Sequence, residues 1–209
     1  QKGTDRDDRL GPKRATQSGL ITPEKMKQAM WRIFALAIFV GFYLAWIGGW
    51  PIVFIGLASI AAGITYTGGP YPLGYHGWGD MFVFIFFGLI AVPGSYCLQT
   101  GIITSTSLWL GAAVGMLSTA ILVVNNIRDM ETDIVTGKKT LAVRWGKSFS
   151  HIEFSILVII PFIIPLCMWW NTRHNMSLLI TLFALPIAVH LIIQLISKTG
   201  RELNKVLAG

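Results

Sequence analysis

The sequence predicts an all-α fold: a polytopic bundle of six transmembrane helices. Three observations carry this. Only 13% of the 209 residues are charged and 53% are hydrophobic, whereas a soluble domain carries roughly a quarter of its residues as charges. Six apolar runs approach the roughly 20 residues that a helix needs to cross about 30 Å of hydrocarbon. The cations fall almost entirely in alternate gaps between those runs, as membrane topology requires.

The runs lie at 31–47, 50–66, 81–98, 102–124, 152–170 and 176–196. Pro93, Pro161, Pro165 and Pro186 fall inside them. Proline would disrupt a soluble helix, but neighbouring helices in a lipid-embedded bundle re-satisfy the freed backbone groups. Gly111 and Gly115, four apart in the fourth run, have the spacing that lets helix backbones approach closely. Residues 1–209 read as a single membrane-embedded domain, interrupted by polar loops at 1–30, 67–80 and 125–151.

Six crossings divide the polar residues between two sides. Of 17 Lys and Arg, 16 fall with 1–30, 67–80, 125–151 and 197–209, counting Arg32 with the flank it adjoins; only Arg173 lies opposite. By the positive-inside rule the crowded side is cytoplasmic. The net charge of +7 therefore reflects topology, and no nucleic-acid partner is expected. All ten acids lie on or beside that same side, although orientation requires none of them. The two cysteines and four histidines show no zinc or disulfide spacing.

The stretch NNIRDMETDIVTGKKTLAVRWGK, residues 125–147, concentrates acids and bases between two aliphatic runs. Asp129 and Asp133 are four apart, so on a continuing or restarting helix both carboxylates project from one face, with Asn126 three residues earlier. Paired carboxylates at a membrane surface suit Mg²⁺, which takes hard oxygen ligands and is commonly held by one or two carboxylates plus substrate phosphates. Arg128, Lys138, Lys139 and Arg144 supply cations for those phosphates. The TGKKT segment is not a phosphate-binding P-loop, because Thr132 stands where that motif needs glycine and no strand precedes it. A diphosphate site at the mouth of a helical bundle implies an amphiphilic diphosphate whose tail lies among the helices. Chelating its head favours C–O ionisation, since negative charge grows there as the bond breaks.

NNIRDMETDIVTGKKTLAVRWG closely resembles the second aspartate-rich motif of the UbiA superfamily of intramembrane prenyltransferases, N/D-x-x-D-x-x-x-D followed by G-K-x-T-L-A-V. The opening QKGTDRDDRLGPKRATQSGLIT is similar to the end of that family's first aspartate-rich motif and the basic loop after it. YTGGPYPLGYHGWGDMFVFIFFG, residues 66–88, resembles the branch that prenylates 1,4-dihydroxy-2-naphthoate for menaquinone. The resemblance covers essentially the whole chain. It implies that Asn126, Asp129 and Asp133 hold Mg²⁺ and diphosphate, with Asp5 as the last aspartate of the first motif. It makes Lys2, Arg14, Arg128, Lys138 and Lys139 diphosphate contacts and sets Tyr66 near the reacting prenyl carbon. Asp80 and Tyr71, in the branch-specific loop, would bind the aromatic acceptor; Asp80 serves equally well as an N-cap of the next helix.

The resemblance implies a family fold of nine transmembrane helices, and the six here look like its third through eighth, so the first two and the last are expected to lie outside this sequence. The implied reaction transfers a polyprenyl group from polyprenyl diphosphate to 1,4-dihydroxy-2-naphthoate, with loss of CO₂ and release of diphosphate, giving demethylmenaquinone. The implied setting is the lipid bilayer of the bacterial cell (inner) membrane. Within the family, 4-hydroxybenzoate, homogentisate and haem are rival acceptors, against which the 66–88 block argues. A transporter would carry charges at mid-membrane depth. A phospholipid head-group transferase would carry D-G-x-x-A-R before its aspartates, and that pattern is absent.

Overall fold

A computed structural model describes residues 15–16, 18–171 and 176–207. The predicted site residues Lys2, Asp5 and Arg14 lie outside this set. Among the described residues the regular structure is entirely helical, and six helices are long and apolar enough to cross a membrane. They are α1 (Pro23–Gly48), α2 (Trp50–Thr67), α3 (Gly79–Thr100), α4 (Ser105–Arg128), α6 (Leu141–Asn171) and α7 (Met176–Ser197). The short α5 (Met130–Val135) and α8 (Asn204–Leu207) complete the set. The chain is an all-α integral membrane protein, as expected. The polar stretches are more helical than their composition suggests: α1 starts inside 1–30, and most of 125–151 is wound into α4, α5 and α6.

Local chemistry explains the boundaries. Thr22 caps α1 by accepting from the Lys25 amide at 3.3 Å, with Pro23 following in the first turn, where its missing N–H costs nothing. Thr104 and Ser107 form a reciprocal capping box at the start of α4. Pro186 stands in the first turn of the α-helical part of α7, just where Met176–Ala184 gives up its tighter 3₁₀ winding. In α6 the break comes at Gly146, which has φ +82°, so the basic residues before it leave the axis of the span that follows.

In lipid the hydrophobic effect does not drive helices together; close van der Waals packing does. α4 is the central helix and packs most extensively against α6 and the π-wound part of α3, Phe84–Ile90. A Cβ on Gly88 would lie 2.6 Å from both the Gly111 carbonyl oxygen and the Gly115 Cα. The close approach expected from Gly111 and Gly115 therefore occurs, with Gly88 as the facing residue. The buried core continues along α4 through Ala120, Val123, Val124 and Ile127, meeting Phe154 and Val158 of α6 and Leu195 of α7. Most of these residues belong to the halves of their helices nearest the 125–151 stretch, so the buried apolar core lies beneath the polar end, while the close approach at Gly88, Gly111 and Gly115 lies further along the bundle.

Gly115→Val should lower the thermal unfolding midpoint in detergent markedly, because a Cβ there meets Phe84 O at 2.7 Å and overpacking typically costs about 1–3 kcal/mol. Gly56→Ala, with nothing within 4 Å of its added Cβ, should not lower it. Equal midpoints for both variants would contradict the packing described.

Candidate active site

α4 ends at Arg128, and Asp129 (φ −94°, ψ 6°) joins it to α5. The helical hydrogen bonds survive the bend: Asp129 N donates to Asn125 O at 2.9 Å, and Asp133 N to Asp129 O at 2.8 Å. The two aspartates thus sit one turn apart on a nearly continuous helical path, as their spacing predicts. Gly137 follows α5 with φ +72°, a left-handed conformation that glycine adopts without steric cost. It turns the chain back, so that Lys138 N reaches Asp133 O at 2.9 Å and Lys138 Nζ reaches Asp133 Oδ2 at 3.0 Å. The Gly-Lys pair therefore returns a cation to the carboxylate five residues before it.

Asp129 is held differently. Arg128 Nε and Nη2 donate to its two carboxylate oxygens, each at 2.8 Å, and Arg128 Nη1 donates to Asn204 Oδ1 at 2.9 Å. Planar, charge-assisted pairs of this kind fix orientation as well as supplying energy. Arg128 is 7% exposed, so its guanidinium faces Asp129 and Asn204 inside the bundle.

The 67–80 loop docks onto this turn. Lys139 N donates to Tyr75 O at 2.8 Å, and Arg144 Nη2 donates to His76 O at 2.9 Å. Gly77 is required twice over, by its φ of +78° and because a Cβ would lie 2.9 Å from Lys139 O. Tyr66, half-buried at the end of α2, lies against Gly74 and Gly79: a Cβ on Gly79 would be 3.0 Å from its hydroxyl oxygen. Asp80 is buried in the first turn of α3 and does not cap it. Its Oδ1 instead accepts from Asn126 Nδ2 at 3.5 Å. Tyr66, Lys138 and Glu153 all stand within electrostatic reach of Asp80.

The predicted site residues are thus partly gathered and partly dispersed. Asp80 and Asn126, assigned to acceptor and diphosphate respectively, form one pair. Tyr71 is exposed and stacks on His76 with ring centroids 3.6 Å apart. The Lys139 side chain is exposed, and its backbone amide carries the contact to the loop. Sequence reasoning missed Thr119, whose hydroxyl donates to Gly115 O at 2.8 Å and lies 3.4 Å from the Asp80 carbonyl oxygen, as well as Asn204 and the electrostatic coupling of Glu153 to Asp80. No local pattern ties position 204 to 128 or 153 to 80; only the polar character of Glu153 within an apolar helix could have drawn notice.

The UbiA prenyltransferase family matches residues 3–207. The chain belongs to this family. It is a prenyl-transferring enzyme. A 1,4-dihydroxy-2-naphthoate octaprenyltransferase of Haemophilus influenzae is 34% identical over 215 residues, covering 100% of this chain and 70% of that protein. The protein of the same name in Mycobacterium tuberculosis is 36% identical over 99% of this chain and 70% of its own length. The one in Escherichia coli is 40% identical over 70% of this chain and 49% of its own length.

The donor chemistry of the turn fits a hard divalent cation. Among the described residues no three His, Cys, Asp or Glu side chains cluster; magnesium is commonly held by one or two carboxylates with substrate phosphate and water. Each Asp129 oxygen that accepts from Arg128 retains a second lone pair.

Arg128→Ala leaves Asp129 and Asn204 without this partner and should destabilise the protein by about 1–3 kcal/mol, read as a lowered unfolding midpoint. Arg128→Lys should restore little, because an ammonium cannot reproduce the fork. A midpoint unchanged in both variants would contradict the anchoring role.

Proposed function

We propose that the chain transfers a polyprenyl group from polyprenyl diphosphate to 1,4-dihydroxy-2-naphthoate with magnesium assistance, releasing diphosphate and CO₂ to give demethylmenaquinone. The observation that most supports this reading is the docking of the 67–80 loop, which carries Asp80, onto Lys139 and Arg144, in the segment that follows the Asp129–Asp133 turn. The names of the relatives support the acceptor. On this reading residues 1–209 act as one membrane-embedded domain in the bacterial cell membrane, with the polar end in the cytoplasm by the positive-inside rule.

Asp129 and Asp133 would hold the metal, with Asp5 contributing from the first motif. Bound magnesium supplies Lewis-acid neutralisation of the charge that grows on the departing diphosphate. Lys138 and Lys139, with Lys2 and Arg14, bind the diphosphate oxygens, while Arg128 keeps Asp129 oriented. As the prenyl C–O bond breaks, its electrons leave with the diphosphate. The allylic cation is attacked by a ring carbon of the acceptor, and the carboxyl group departs as CO₂. Tyr66 offers an aromatic face to the cation. The buried Asp80–Asn126 pair, with Tyr71 at the outer edge of the loop, positions the acceptor.

Asp129→Asn and Asp133→Asn should each lower magnesium-dependent turnover on the order of 100-fold or more while the protein still inserts into membranes; Asp133→Asn should keep its unfolding midpoint within a few degrees, whereas Asp129→Asn, which removes the anionic partner of the buried Arg128, should lower it. Near-normal turnover in both variants would remove the metal role. Asp80→Asn should raise KM for the naphthoate and leave KM for the prenyl diphosphate unchanged; a change confined to the donor would contradict the acceptor assignment. With labelled prenyl diphosphate, faster product formation from 4-hydroxybenzoate than from the naphthoate would overturn the choice of acceptor.

A further inference from the structure

The polar end holds a recess that none of the residues proposed for prenyl transfer lines. It has a volume of about 160 Å³, and its polar lining comprises Lys147, His151, Lys198 and Thr199. No acid lines it. Among the described residues neither Lys147 nor Lys198 has a carboxylate within ion-pair distance, since the two ion pairs found there use Arg128 and Lys138. Lys198 is braced instead by the amide oxygen of Gln194, whose amide group contacts His190. The break at Gly146 resets α6, so Lys147 and His151 follow it one turn apart on a single face.

The remaining lining is apolar: Ile127, Ile196 and Leu203. Ile196 also opens outward at 57% exposure, and Ile193, one turn deeper along α7, is 59% exposed. A cationic recess at the end of a membrane-crossing helix therefore leads directly onto an apolar strip along that helix. A soluble anion would use only the first part. An amphiphile with a phosphate head uses both, because lysines at helix ends hold their ammonium groups at head-group level while aliphatic surface faces the chains.

We propose that this recess binds the phosphate of an acidic phospholipid, with Lys147, Lys198 and Thr199 around the head group and one acyl chain along Ile196 and Ile193. The leaflet on the lysine-rich side is the one that carries anionic lipid in cells. Leu203 immediately precedes Asn204, the residue that accepts from Arg128, so an occupied recess braces the turn supporting the Arg128–Asp129 pair. Binding to the folded state alone raises apparent stability.

The test uses the full chain in phosphatidylcholine bilayer discs, titrated with phosphatidylglycerol. Bound lipid is read by native mass spectrometry and stability by thermal unfolding. Phosphatidylglycerol should be retained and should raise the midpoint. The double variant Lys147→Gln, Lys198→Gln should weaken its binding on the order of tenfold or more while unfolding normally in phosphatidylcholine alone. Should the double variant unfold there, Lys147→Gln alone, at an exposed position, should weaken binding about threefold, half of the double variant's effect on a free-energy scale. Equal retention by wild type and variant would overturn the site. A lysine-dependent midpoint shift produced by inorganic phosphate but not by phosphatidylglycerol would overturn the lipid assignment in favour of a free anion.

Discussion

Arg128 grips Asp129 through two 2.8 Å hydrogen bonds where α4 bends, and its third contact reaches Asn204 across 76 residues of chain. That one guanidinium fixes three things together: the orientation of the first aspartate, the direction in which α5 leaves α4, and the attachment of the C-terminal turns to the bundle. The interaction is possible because Arg128 is buried, where water competes little for its donors. The Gly137–Lys138 return and the docking of residues 72–77 are built outward from this anchored turn. The candidate site is accordingly a rim of charge standing on a locked helix end.

Beneath the rim, packing carries the load that solvent exclusion carries in soluble proteins. Gly88, Gly111 and Gly115 bring α3 onto α4 closely enough that no side chain fits between the backbones. This contact sets the height of Asp80 against Asn126, about three turns beyond Gly115 along α4. By contrast α1 and α2 bury no residue, and Trp46 at 90% exposure shows how much aliphatic and aromatic surface they offer to lipid. Burial is therefore graded across the molecule, with α3, α4 and α6 forming the packed support on which the acidic and basic residues are arrayed.

Particular residues show how far linear reading reaches. The six crossings, the one-turn separation of Asp129 and Asp133, and the small-residue spacing of Gly111 and Gly115 are visible in the chain because each depends on neighbours within a few residues; that Gly88 is their partner is not. By its charges the stretch 125–151 reads as a polar loop, yet most of it is helical, because charged side chains interrupt the apolar pattern without preventing backbone hydrogen bonds such as Asp133 N to Asp129 O. Local reading also leaves Asp80 level between capping and acceptor binding. The capping alternative fails because Asn126, 46 residues away, draws the carboxylate towards α4.

By itself, the sequence determined the fold class, the crowding of charge at one end and the chemistry available there. Apolar length against bilayer thickness and helical periodicity are local quantities that no tertiary arrangement can alter. Only the folded structure decided which charges meet: Asp129 with Arg128 and Asn204, Asp133 with Lys138, Asp80 with Asn126, and Arg144 with the backbone of His76. Helix crossing geometry sets most of those pairings, because the rotation of each helix about its own axis follows from the small residues it packs against rather than from the polar side chains it carries.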